Sequence, residues 1–250
     1  MKIIRFLTLV GGLLLLWELV VDVAGLPHYI LPGPMAVARA VYLKFAILLV
    51  HGFTTLIEIL AGLALGTGLG AFCALTMIVS RPLKQWVLPV LVISQAIPVF
   101  ALAPILVIWF GYGMASKIAM AVLIIFFPVT AAFYDGLRRT EPDLLELARV
   151  MNARPLATLR LIKIPSALPA FASGLRTATA VAPIGAVVGE WVGASSGLGY
   201  FMLHANARMQ IDLMFAALFL LSVMSLILYF TIDHLLDRII YWQKKEENPK

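Results

Sequence analysis

From Phe6 to Leu236 the chain is a series of apolar runs, each about as long as a membrane is thick, separated by short polar stretches. A helix crossing the hydrocarbon layer needs ~20 mostly apolar residues. Inside that layer every backbone polar group must be satisfied within the segment, which leaves helices as the spanning element for runs of this kind. Six spans can be drawn, at 6–24, 51–79, 86–110, 115–134, 169–190 and 212–236. Hydrophobic residues make up 62% of the 250 positions and charged ones 13%, with a mean hydropathy of +0.99. A soluble domain is nearer half apolar and a quarter charged. The expectation is an all-α integral membrane protein, residues 1–250 forming one transmembrane domain.

The distribution of charge orients the chain. With the N-terminus inside, the inner side holds Lys2, Arg5, Arg81, Lys84, Arg138, Arg139, Arg149, Arg154, Arg160, Lys163, Arg238, Lys244, Lys245 and Lys250. Only Arg39, Lys44, Lys117 and Arg208 fall outside. Fourteen against four is the bias of a protein with both termini in the cytoplasm. The net charge of +6 therefore marks inner loops and implies no nucleic-acid partner. After Lys2 and Arg5, the first apolar run resembles a secretory signal. Asp22-Val23-Ala24 lacks the small residue that cleavage needs, so this reads as a retained helix. The single cysteine, Cys73, excludes a disulfide framework, and the four histidines are too dispersed for a metal helix, so no cofactor is expected.

Gly25 to Pro34 is irregular, with three prolines and two glycines, and 35–46 is expected to form a short interfacial helix. Gly62, Gly66 and Gly70 make a stripe on the second span that lets another helix approach closely, within one subunit in preference to a dimer seam. Pro89, Pro98 and Pro104 break or kink the third span, leaving Ser94 and Gln95 beside the break as polar contacts for a solute. Glu190 is an intramembrane carboxylate at the end of the fifth span, followed by Trp191 and a Gly/Ser-rich stretch. Such a residue is a functional candidate by default. Glu58 is placed at the outer interface, and Arg176 is expected to snorkel.

The largest polar loop, 135–168, reads as helix–turn–helix. Thr140 is the expected N-cap, with Pro142 and Asp143 in the first turn and Asn152 in the left-handed conformation that ends the helix. A second short helix from Leu156 to Lys163 is closed by Pro165 and Pro169, and carries an apolar ridge of Leu156, Leu159 and Ile162 beside Arg160 and Lys163.

This loop resembles the EAA motif of binding-protein-dependent ABC permeases: Glu-Ala-Ala, three residues, Gly, nine residues, Ile-x-Leu-Pro. Here Glu146-Leu147-Ala148, Asn152 and Ile162-Lys163-Ile164-Pro165 stand at that spacing. Leu147, Asn152 and Ile164 depart from the pattern, and Asn152 keeps the backbone freedom that the glycine supplies. Leu31-Pro32-Gly33-Pro34, Ile97 to Pro104, Trp109-Phe110-Gly111 and Gly189 to Gly199 are similar to the nitrate/sulfonate/taurine branch.

The resemblance implies a type I ABC importer permease fold in the bacterial inner membrane, of about six helices with a cytoplasmic coupling helix. It implies two copies flanking a pathway, two ATP-binding subunits on the loops, and an extracytoplasmic solute-binding protein. Glu146, Ala148, Asn152, Leu156, Leu159, Ile162 and Pro165 are then the coupling residues, and Gln95, Pro98, Glu190 and Trp191 the pathway candidates. The chain has no P-loop, so ATP hydrolysis falls to a partner and the chain is not itself an enzyme. The segment from Leu26 to Pro34 is most similar to permeases for pyrimidine precursors of thiamine, and a pathway lined by Glu190 disfavours a strongly anionic solute. A secondary transporter would show an internal repeat, and a small membrane-embedded enzyme a clustered set of acids or histidines. Neither is visible.

Overall fold

A computed structural model describes the backbone of residues 2–25 and 27–242 and side chains from Thr8 onward. Lys244, Lys245 and Lys250 of the inward charge count, and the side chains of Lys2 and Arg5, lie outside the described residues. All regular structure described is helical: α1 (Lys2–Val23), α2 (Pro34–Leu43), α3 (Phe45–Val79), α4 (Arg81–Ala96), α5 (Val99–Phe110), α6 (Met114–Arg138), α7 (Pro142–Val150), α8 (Pro155–Thr158), a π turn (Leu159–Lys163), α9 (Ile164–Gly193), α10 (Leu198–Ala207) and α11 (Ile211–Ile239).

Four of these segments are long and apolar enough to cross a membrane, or five if the bent pair α4–α5 is counted as one span. The first of the six spans drawn from hydropathy falls on the 22-residue α1. The pair bends by 105° at Ile97-Pro98. Pro98 has no N–H to continue the α4 ladder, and the residue before a proline avoids helical ψ, as the ψ of 122° at Ile97 shows. Pro89 and Pro104 lie within helices and break nothing.

The core is a sandwich of α3, α6 and α9, joined by Ile59 and Leu63, Ala121, Ile125 and Val129, and Ala178, Ala182 and Ala186. Lipid is as apolar as these side chains, so the helices associate through close packing. A Cβ at Gly66 would lie 2.7 Å from Ile125 Cγ2, and one at Gly185 2.7 Å from the backbone of Ala121. The Gly62–Gly66–Gly70 stripe thus seats α6 within the subunit, as its spacing predicted. Gly66→Val should lower the thermal midpoint in detergent, at a cost of about 1–3 kcal/mol from overpacking. Gly68, two residues away with nothing near its missing Cβ, is the matched control, and Gly68→Val should leave the midpoint in place.

Three expectations are corrected. Glu58 is fully buried, its Oε1 3.2 Å from Nζ of Lys117, which is itself buried in the first turn of α6, so the two face each other inside the bundle and Lys117 is not an outer-loop charge. A carboxylate and an ammonium one helix apart in an apolar bundle are far less costly together than alone. Arg176 does not snorkel: its Nε donates to Asp233 Oδ1 at 2.6 Å and its Nη2 to Asp237 Oδ1 at 2.9 Å, tying α9 to α11. Pro165 and Pro169 do not end the helix begun at Pro155, which continues through the π turn into α9. The Ile164 N–H reaches back to Leu159 C=O, and this wider turn gives the Pro165 ring the room that an α turn denies.

Candidate functional site

At one end of the bundle, α7 and α8 form the predicted helix–turn–helix. Pro142 opens α7 with Asp143 in its first turn, where a carboxylate meets the positive end of the helix dipole. Thr140 is not the N-cap. Glu141 holds that position, and the Thr140 hydroxyl donates to Leu137 C=O at 3.2 Å. At the far end Asn152 has φ +52°, the left-handed conformation expected. Its N–H donates to Arg149 C=O and that of Ala153 to Ala148 C=O, both at 2.9 Å, closing a Schellman motif.

The side chains divide differently from the sequence reading. Leu159 is half-buried against the cluster containing Phe133, Tyr134 and Leu137, and Ile162 and Pro165 are also half-buried. Ala148 is buried, while Glu146, Asn152 and Leu156 are exposed. The exposed apolar side chains include Leu147, Val150, Met151, Leu156 and Leu161. A cleft of about 340 Å³ runs beside them between Ile78 and Val79 of α3 and Pro155, Leu156, Leu159 and Lys163.

At the opposite end, a polar network that the sequence reading missed joins α3, α6, α9 and α10. Gly197, at φ +112°, turns the chain from α9 into α10. The four backbone N–H groups that begin α10 have no partner within their own helix. Each finds a side chain instead: Gly197 donates to His51 Nδ1 at 3.0 Å, Leu198 to Thr55 Oγ1 at 2.8 Å, Gly199 to Glu190 Oε2, and Tyr200 to Glu190 Oε2 at 3.3 Å. The Thr55 hydroxyl donates to Glu190 Oε1 at 2.6 Å. His51, Thr55 and Glu58 stand at i, i+4 and i+7, one face of α3, and Lys117 completes the cluster from α6. That spacing in an apolar span was the legible signal.

The pathway candidates are dispersed. Glu190 is 1% exposed and committed to α10. Trp191, its neighbour, is exposed, as are Gln95 and Pro98 at the bend. Val99 and Val188 pack on one cluster, which brings that bend beside α9. The exposed face of α9 is Ser173, Thr177, Ala180, Ile184 and Trp191. It is small and hydroxylated for most of its length, unlike the Leu, Ile and Phe exposed on α3 and α11.

Residues 66–241 match the family described as the binding-protein-dependent transport system inner membrane component. A probable ABC transporter permease of Haemophilus influenzae is 58% identical over 96% of this chain and 98% of its own. The formylaminopyrimidine transport permease ThiX of Halalkalibacterium halodurans is 40% identical over 94% of each chain. RibX, the riboflavin transport permease of Chloroflexus aurantiacus, is 36% identical over 91% of this chain and 85% of its own. Among solved structures, an amino acid ABC transporter chain superposes with a TM-score of 0.63 at 16% identity, covering 81% of this chain and 97% of that one. The chain therefore belongs to the binding-protein-dependent transport family and is the membrane-spanning permease subunit of an ABC importer.

Proposed function

We propose that this subunit passes a small nitrogen heterocycle, a formylaminopyrimidine-like precursor, through a pathway between two copies of itself. The whole chain acts as one permease domain in the bacterial inner membrane, with both termini and the 135–168 loop in the cytoplasm. Charge supports this orientation: with Lys117 placed inside the bundle, only Arg39, Lys44 and Arg208 remain of the outward cations. A separate ATPase docks on α7 and α8, and a binding protein delivers the solute at the α10 end.

The observation that carries this reading is the exposed apolar set Leu147, Val150, Met151 and Leu156, presented on a turn locked by Asn152 among Arg149, Arg154 and Arg160. Short helices with apolar anchors fit grooves on partner proteins. ATP-driven closure of the ATPase pair then moves α7 and α8, and the rigid α8–α9 helix transmits the motion to the bundle. Along the pathway we place the α9 face Ser173, Thr177, Ala180 and Trp191, with Gln95 and Pro98 at the bend. Trp191 offers a flat aromatic surface for a heterocycle, and the relatives named for formylaminopyrimidine and riboflavin transport fit such a solute.

The test is ATP-dependent uptake by proteoliposomes holding the permease, its neighbouring ATPase and the cognate binding protein. Formylaminopyrimidine should accumulate and taurine should not, and Trp191→Ala should slow uptake about two- to tenfold, the worth of one aromatic contact. Accumulation of taurine in place of the pyrimidine overturns the solute assignment. Uptake independent of ATP overturns the mechanism.

A further inference from the structure

We propose that the α10 end of this subunit carries a binding site for the phosphate headgroup of an anionic phospholipid. A cleft of about 370 Å³ opens between the α2–α3 joint, α10 and the start of α11. Its polar lining is Lys44, Tyr200, His204, Arg208 and Gln210, and its apolar lining includes Ile47, Phe201 and Leu213. No carboxylate lines it. Neither Lys44 nor Arg208 has an ion-pair partner among the described residues. Cations are disfavoured on the outward side of an inner-membrane protein. Yet two of the three outward ones converge on this cleft.

A plainer account is that these cations complement helix ends, since Lys44 is the C-cap of α2 and Arg208 that of α10. Each helix C-terminus carries about half a negative charge, so two termini leave about one positive charge over. The turn that presents Arg208 is also held against its own preference. Met209 has φ +57°, a conformation that costs an unbranched side chain about 1 kcal/mol and that glycine would adopt freely. His204 packs against Tyr200 with ring centroids 4.2 Å apart and planes tilted by 53°, which sets its imidazole against the cleft wall.

The surroundings favour lipid over an acidic protein segment. Tyr42, Leu43, Phe45 and Met209 flank the cleft and are all exposed and large. At the headgroup layer the cations meet phosphate and this apolar border meets acyl chains, whereas an acidic segment would set its charges against the border. The assignment of an outward face rests on the orientation proposed above.

The experiment uses the full-length chain alone in nanodiscs of phosphatidylcholine with or without phosphatidylglycerol, followed by detergent extraction and mass spectrometry of retained lipid. Phosphatidylglycerol should be retained preferentially, and Lys44→Gln/Arg208→Gln should reduce retention roughly tenfold or more. The charge-keeping Lys44→Arg/Arg208→Lys chain, which controls for folding, should retain it. Equal retention by the Gln double variant overturns the proposal. So does displacement of the lipid by millimolar inorganic phosphate, which would make this a free-anion site. In a parallel pull-down with the cognate binding protein, lost capture by the Gln double variant at unchanged lipid retention would make it a docking face and also overturns the proposal. No ATPase or solute is present, so failure here leaves the importer reading intact, and a failed uptake assay leaves this result standing.

Discussion

Glu190→Ala should release α10 from the bundle and reduce ATP-dependent uptake at least tenfold, while leaving capture of the ATPase unchanged. The carboxylate receives the Thr55 hydroxyl and the N–H groups of Gly199 and Tyr200, all in a site closed to water. Alanine leaves these donors unmet. An orphaned buried donor costs about 1–3 kcal/mol, and partial rearrangement makes a total of roughly 3–5 kcal/mol reasonable. Glu190→Gln keeps one acceptor oxygen but turns an NH₂ toward a donor, so its cost should fall between wild type and alanine. Thr55→Val keeps the volume and removes the acceptor for Leu198 N–H, for about 1–3 kcal/mol. The Glu190→Ala/Thr55→Val pair should cost less than the sum, because each single change already breaks the bond they share. Hydrogen exchange over residues 197–200 reads this directly: protection should fall in each variant and stay high elsewhere. Wild-type protection in Glu190→Ala would mean that the carboxylate is not what holds α10. An exchange change without a transport change would remove α10 from the transport cycle.

That clamp was only half legible in the chain. Glu190 stands out because a carboxylate in an apolar run demands an explanation. The rest shows only as a polar face, His51, Thr55 and Glu58 on one side of an apolar span, and the backbone donors that His51 and Thr55 meet lie more than 140 positions away in sequence. Lys117 was miscounted as an outer-loop charge because hydropathy sees an ammonium near a span end and cannot see the carboxylate across from it. Local backbone chemistry carried further. Asn152 in the left-handed region, the break at Pro98 and the Gly62–Gly66–Gly70 seam all follow from what one residue type permits, and all three are in the structure. The prolines at 165 and 169 misled for the same reason in reverse. The rule for Pro165 holds for an α turn, and the chain uses a π turn there, while Pro169 sits inside α9 without ending it.

The same limit decides which substitutions can test coupling. Val150→Asp/Met151→Asp should abolish co-purification of the neighbouring ATPase, with a loss of about a hundredfold or more, at a thermal midpoint close to wild type. Both side chains are largely exposed, 84% and 72%, so charging them costs the subunit itself little. In a docked interface each would place an unpaired charge in an apolar pocket, where anchor residues are worth about 2 kcal/mol or more. Leu159→Asp, which the ridge read from sequence would have singled out, is the wrong probe. Its side chain packs against the Phe133–Tyr134 cluster, so the charge should lower the midpoint and lose the ATPase through damage to the subunit. Glu146→Arg, exposed beside these residues, should weaken capture without touching stability. Asn152→Gly should leave both unchanged, because glycine holds φ near +52° at no steric cost. Asn152→Val should cost about 1–2 kcal/mol and misplace the knobs together. Measured side by side, capture and midpoint separate the two ways of failing. Capture retained by Val150→Asp/Met151→Asp would move the docking surface off α7, to the cleft lined by Ile78, Val79 and Leu156.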